Sequence, residues 1–243
     1  MDTVENSIET TGFIEKYDIE MVFVEGGTFT MGATSEQGDD CNEEKPAHQV
    51  TVSSFWISKY TITQAQWKAV MNHNPSFFDG DNLPVEMINW DDIHEFIRKL
   101  NEQTGNLYRL PTEAEWEFAA RGGNKSKGFR YSGSDSIADV AWYEDNSEDK
   151  THPVGIKVPN ELGIYDMSGN VWEWCNDWFG DYPASPQINP KGPDTGSIRV
   201  LRGGGWSSRA RVCRVAHRII LAPSFRYSRS GLRLVKENYY QAN

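Results

Sequence analysis

The sequence predicts one domain of mixed helix and strand that becomes loop-rich in its second half. Three helices are marked by cap residues before residue 122, two of them with capping boxes, and short β-prone stretches flank them. From Arg121 onward Gly, Asn, Asp, Ser and Pro become frequent, while aromatic residues recur at Trp142, Tyr143, Trp172, Trp174 and Trp178. That composition describes a fold held by aromatic anchors and bound ions more than by long regular elements.

Residues 1–20 carry six acids and one Lys and read as an acidic, mobile lead-in. Val22 to Met31 alternates apolar and polar residues, and Gly26-Gly27 breaks the run as a hairpin or bulge would. Thr34 to His48 is polar and reads as an exposed loop. Val50–Val52 and Phe55–Ile57 are strand material. Thr63 caps a helix to Met71 that buries Trp67, Val70 and Met71. Asn89 and Asp92 make a capping box for a helix to Leu100, with Trp90, Ile93, Phe96, Ile97 and Leu100 at helical spacing. Thr112 and Glu115 open a third helix, which Gly122-Gly123 stops. Arg199–Arg202 and Gly231–Val235 read as strands enclosing an irregular segment. No linker is marked, so the expectation is a single domain over 21–236 with a tail at 237–243.

At 243 residues, 38% hydrophobic and 12% aromatic, the chain can bury a core. No apolar run is long enough to span a membrane, and no internal repeat is present. The lead-in has no apolar block, so no secretory signal is visible and a cytoplasmic location is the default expectation. Three cysteines (Cys41, Cys175, Cys213) exclude a disulfide scaffold.

The net charge is −11, yet nine of the thirteen arginines lie between Arg199 and Arg233, where no Asp, Glu or Lys occurs. Such arginines are expected to pair with the acidic remainder inside the fold. A nucleic-acid patch normally mixes Lys with Arg on a basic domain, so nucleic acid is not an expected partner.

Five blocks in unbroken order resemble the family of the formylglycine-generating enzyme, the sulfatase-modifying factors. They are Phe23-Val-Glu-Gly-Gly-Thr-Phe-Thr-Met-Gly32, Arg109-Leu-Pro-Thr-Glu-Ala-Glu-Trp-Glu-Phe-Ala-Ala-Arg121, Asn160-Glu-Leu-Gly-Ile-Tyr-Asp-Met-Ser-Gly-Asn-Val-Trp-Glu-Trp174, Arg199-Val-Leu-Arg-Gly-Gly-Gly-Trp206 and Gly231-Leu-Arg-Leu-Val235. The resemblance implies an α+β fold, an elaborated C-type-lectin-like architecture low in regular secondary structure. It also implies a copper- and O2-dependent oxidase that converts a sulfatase cysteine to formylglycine, with Cu(I) held between two thiolates. Those thiolates match positions 208 and 213. Cys213 supplies the second, but Ser208 replaces the first, and a hard, protonated hydroxyl does not hold Cu(I). No catalytic residue is expected from this degenerate pair, and Cu(I) is not an expected cofactor.

The same resemblance implies structural Ca2+ in loops. One site would use Asp166, Glu173 and the carbonyls of Met167, Gly169 and Val171. A second would use Asp139 and Asn146, with the carbonyls of Val140 and Glu148.

Non-catalytic relatives include the variable proteins of diversity-generating retroelements, whose adenine-directed mutation of AAC or AAT codons never yields Lys, Glu, Gln, Met or Trp. These five types make up 52 of 243 residues, yet none occurs from Ser207 to Ser230. The resulting expectation is a non-catalytic protein that binds a protein or other macromolecular ligand through a surface at about 207–230. The oxidase is the alternative. Candidate ligand-binding residues are Trp206, Ser207, Ser208, Arg209, Val212, His217, Ile219, Ile220, Leu221, Phe225, Tyr227 and Arg229. Arg211, Arg214 and Arg218 are expected to be scaffold.

Overall fold

The structure, a computed structural model, describes residues 19–38 and 42–237. Most of the lead-in, Cys41 and most of the C-terminal tail lie outside the described residues. In chain order the elements are β1 (Met21–Val24), β2 (Gly27–Met31), β3 (His48–Val52), β4 (Phe55–Ser58), α1 (Gln64–Met71), α2 (Trp90–Thr104), β5 (Tyr108–Arg109) and α3 (Glu113–Ala120). There follow α4 (Ile137–Val140), β6 (Trp172–Trp178), β7 (Gln187–Ile188), β8 (Arg199–Arg202), β9 (Arg218–Leu221), β10 (Ser230–Gly231) and β11 (Val235–Lys236).

The three main helices begin at the expected caps. The side chains of Thr63, Asn89 and Thr112 each accept from a backbone N–H three residues on, and the side chain at that third position bonds back in every case. These reciprocal bonds satisfy donors that a helix start otherwise leaves orphaned. α2 runs one turn past Leu100, to a left-handed Gly105. Met71 is half-buried rather than buried.

The strands form three small sheets, ordered β1-β4-β11-β5, β10-β6-β8-β9 and β2-β3-β7. Two expectations are corrected here. β1 and β2 do not form a hairpin: β1 pairs with β4 and β2 with β3. Gly26 sits at this change of sheet because a Cβ there would lie 2.6 Å from the carbonyl oxygen of Val52. Residues 231–235 are not one strand either. The chain leaves one sheet at Gly231, buries Leu232, Arg233 and Leu234, and joins another at Val235.

One apolar core lies around Trp67, Phe96 and Trp174, under α1 and α2. A second gathers Trp116 and Phe118 of α3 against Val50, Ile57 and Val200. Every residue of α3 except Glu115 is buried, including Glu113 and Glu117. This carries two carboxylates into the interior beside β8, where the arginine-rich segment begins.

Candidate ligand surface and its arginine base

The segment between β8 and β10 is anchored from within. Arg202 is fully buried; it pairs with Glu117 and with Glu113 (3.3 Å), and donates to the carbonyls of Val215 and Ala216. Arg214 grips both oxygens of Glu44, at 2.9 and 2.7 Å. Arg218 pairs with Glu113 at 2.6 Å and donates to the carbonyls of Glu43 and Gly180. Among the described residues six of the nine arginines pair with carboxylates, the others being Arg209, Arg226 and Arg233. Arg199 instead lies between Trp90 and Trp178, its guanidinium carbon 3.9 and 3.3 Å from the ring centroids.

Glu44 corrects the expectation that 34–48 is an exposed loop. Its side chain is fully buried, and the segment folds inward to deliver it. Burial alone would raise its carboxyl, but hydrogen bonds from His217 and Arg214 overcome that and hold it at about 2. His217 donates to or shares a proton with Glu44 at 2.9 Å and is buried, so it belongs to the base of the segment and not to its outer face. Arg211, expected as scaffold, has an exposed side chain; only its carbonyl serves the base, accepting from Arg214.

The remaining candidates divide by exposure. Arg209, Ile220 and Phe225 are exposed, with Ile220 at 46% and Phe225 at 53%. Trp206, Ser207, Val212, Ile219, Leu221, Tyr227 and Arg229 are half-buried. Ile219 and Leu221 rest on the first core, as alternation in β9 requires when Ile220 points outward. Trp206 donates through its indole N–H to the Ser228 carbonyl, and the Arg229 guanidinium covers its ring at 5.1 Å. Phe78 meets the Trp206 ring edge-on at 5.6 Å, and Phe77, 73% exposed, meets Phe78. This aromatic extension was not among the sequence candidates.

The thiol at 213 is not arranged for chemistry. Cys213 is fully buried, and burial pushes its thiol up to about 12. Gly204 packs on it so closely that a Cβ would lie 2.5 Å from its sulfur. Ser208 is buried, and its hydroxyl accepts from the backbone N–H of Gly205 at 2.9 Å. A protonated buried thiol and an occupied hydroxyl do not fit Cu(I).

The first calcium loop fits a hard cation at one end. Asp166 is buried, and its Oδ1 has no hydrogen-bond partner among the described residues; Oδ2 accepts from Gly155. No hydrogen bond is donated to the carbonyls of Met167, Gly169 or Val171 among the described residues. Glu173, in contrast, is committed: Arg233 takes both its oxygens at 2.9 Å, and Trp116 donates to one at 2.6 Å. The second set is partly committed elsewhere. The Asn146 side chain is used within its own turn, Asp139 is exposed, and Glu148 is exposed and paired with Lys150.

The chain matches the sulfatase-modifying factor enzyme 1-like domain over residues 14–238 and belongs to that family. It is 35% identical over 248 residues to the "Chaperone protein LppX" of Paenibacillus barcinonensis, covering 82% of each chain. It is 29% identical to the formylglycine-generating enzyme of Streptomyces coelicolor, covering 87% of each. Among solved structures, Treponema denticola variable protein 1 superposes with a TM-score of 0.83 at 32% identity, over 90% of this chain and 95% of that one. The fold is therefore that of the formylglycine-generating enzymes and of a variable protein. No helix among the described residues is long and apolar enough to cross a membrane.

Proposed function

We propose that this chain is a non-catalytic, ligand-binding member of the family, a variable protein of the retroelement-diversified kind, with its binding surface at about 207–230. The observation that carries this reading is the division within that segment. Cys213, Arg214, His217 and Arg218 face inward onto fixed partners, while Arg209, Ile220 and Phe225 face out. Exposed aliphatic and aromatic groups beside Arg are what a binding hot spot uses. The ligand is a protein or other macromolecule. Nucleic acid is disfavoured, because six of nine arginines already have carboxylate partners. We further propose a structural Ca2+ held by Asp166 and the carbonyls of Met167, Gly169 and Val171, all hard oxygen donors.

The experiment is a fourfold substitution, Arg209→Ala, Ile220→Ser, Phe225→Ser and Tyr227→Ser, with assay of the wild type for oxidation of a sulfatase cysteine peptide under Cu(I) and O2. Melting within about 1 kcal/mol of wild type and no aldehyde product support the reading. Aldehyde formation, or cooperative unfolding by more than about 4 kcal/mol, overturns it.

A further inference from the structure

A cleft of about 440 Å3 opens beside Arg218 and its partners Glu113 and Gly180, and the outward residues of the proposed ligand surface do not line it. Met31, Tyr182, Pro183, Pro190 and Pro193 give it apolar walls. Asp177, in β6, lines it as well and is 4% exposed. Its Oδ2 accepts the backbone N–H of Glu113, the first residue of α3, at 2.9 Å. Its Oδ1 has no hydrogen-bond partner among the described residues and is not sealed from the cleft.

The cations around Asp177 are engaged elsewhere. Arg202 is spent on Glu113 and Glu117, and Arg218 on Glu113. Arg199 is stacked between two indoles and donates to the Asn176 carbonyl at 2.6 Å. Lys191 is exposed at the cleft, where Asp181 also lies. A buried carboxyl with one free oxygen and no direct ion pair among the described residues is an uncommon thing to leave beside an apolar wall.

We propose that this cleft is a subsite for a primary alkylammonium group, its charge set against Asp177 Oδ1 and its hydrocarbon chain laid along the proline and methionine walls. A metal ion fits less well. A hard cation wants several oxygen donors, and the described residues hold no cluster of three His, Cys, Asp or Glu side chains. The same ammonium chemistry is offered by a free aliphatic amine and by a lysine side chain of a partner protein. The subsite meets the 207–230 segment only through the inward-facing Arg218, which the proposed ligand surface does not use, so each can fail alone.

Burial, with Glu113 and Glu115 of α3 adding repulsion against the attraction of Arg218, raises the Asp177 carboxyl to about 8. Capture of an ammonium therefore ionises Asp177 and releases a proton at neutral pH. Affinity should rise about tenfold per pH unit up to about 8, and fall again only as the amine itself deprotonates above about 10.

The test is calorimetric titration of the whole chain with butylamine, N-acetyl-lysine amide, 1-butanol and butyrate, between pH 6 and 9. Butylamine or the lysine amide should bind in the millimolar range at pH 9 and about 100-fold more weakly at pH 6, with proton release at pH 7 read from buffers of different ionisation heat. Binding of the lysine amide alone assigns the site to a partner's lysine, and of butylamine alone to a free amine. Asp177→Asn keeps an acceptor for the Glu113 N–H and should lose tenfold or more in affinity; if that variant melts early, the wild-type pH profile decides. Butanol binding as tightly as butylamine, preference for butyrate, an affinity flat with pH, or no ammonium binding up to about 50 mM would each overturn the proposal.

Discussion

Replacing Glu44 by Gln tests whether the segment is held from inside. Glu44 is fully buried, and the Arg214 side chain is 3% exposed. Two independent estimates of the cost agree. Breaking a buried ion pair strands its partner's charge and costs about 3–5 kcal/mol. A carboxyl held at about 2 against an ordinary 4.5 corresponds to about 3 kcal/mol at pH 7, at 1.36 kcal/mol per pKa unit. Because the folded pKa is depressed, this contribution is complete above about pH 4.5 and is lost as pH falls toward 2. Urea unfolding at pH 7 and pH 3 should show Glu44→Gln destabilised by about 3–5 kcal/mol at pH 7 and by clearly less at pH 3. Arg214→Met in the same chain should restore part of the loss, since both charges then leave the interior together. A loss below 1 kcal/mol at pH 7, or strict additivity of the two substitutions, would refute the view that Arg214 depends on Glu44.

Other outcomes follow from the same geometry. Glu86 is fully buried; burial raises its carboxyl to about 7 against the bonds from the Phe78 and Phe77 backbone, and its Oε2 has no partner among the described residues. A raised carboxyl favours the fold below about pH 4.5, and that advantage is lost as pH rises to 7, so Glu86→Gln should stabilise by up to about 3 kcal/mol at pH 8 and by nothing at pH 4; equal melting shifts at both pH values would contradict this. Cys213 should be alkylated by iodoacetamide only as fast as the chain unfolds, and peptide mapping that finds it modified within minutes in native buffer at pH 8 would mean the thiol is not sealed. Chelation should lower the melting temperature, by mass action on a calcium-bound native state, through about 2.7 kcal/mol at a hundredfold excess over Kd; Asp166→Asn should abolish that sensitivity, and a melt indifferent to chelator would remove calcium from the loop.

The legible parts of the fold were the local ones. Thr63, Asn89 and Thr112 declare helix starts because donor and acceptor are three residues apart in sequence. The absence of acids between Arg199 and Arg233 likewise indicated that carboxylates from elsewhere would meet those arginines. Which carboxylates was not legible: Glu44 and Arg214 are 170 residues apart, and Glu113 and Arg218 are 105. Glu44 sat in a run of polar residues that hydropathy assigns to solvent, and only the pairing explains its burial. Gly26-Gly27 hides its role for a related reason, since a glycine needed for a close backbone approach looks the same in sequence as one needed for a turn. The two-sheet path of 231–235 was hidden because Leu232 and Leu234 satisfy a strand pattern while serving as core.

The arginine base has a consequence for how this chain can change. Arg202 and Arg218 bond main-chain carbonyls, and the Arg214 Nε bonds that of Arg211, so the path of the segment is written in contacts that do not involve the outward side chains. Substitutions at Arg209, Ile220 or Phe225 then draw on almost none of the stability reserve that most proteins lose with each change. Inward and outward positions alternate within a few residues, so one short stretch of gene carries both a fixed instruction and a free one. A library varied only at the outward positions would be a population of chains with different surfaces and nearly one melting temperature.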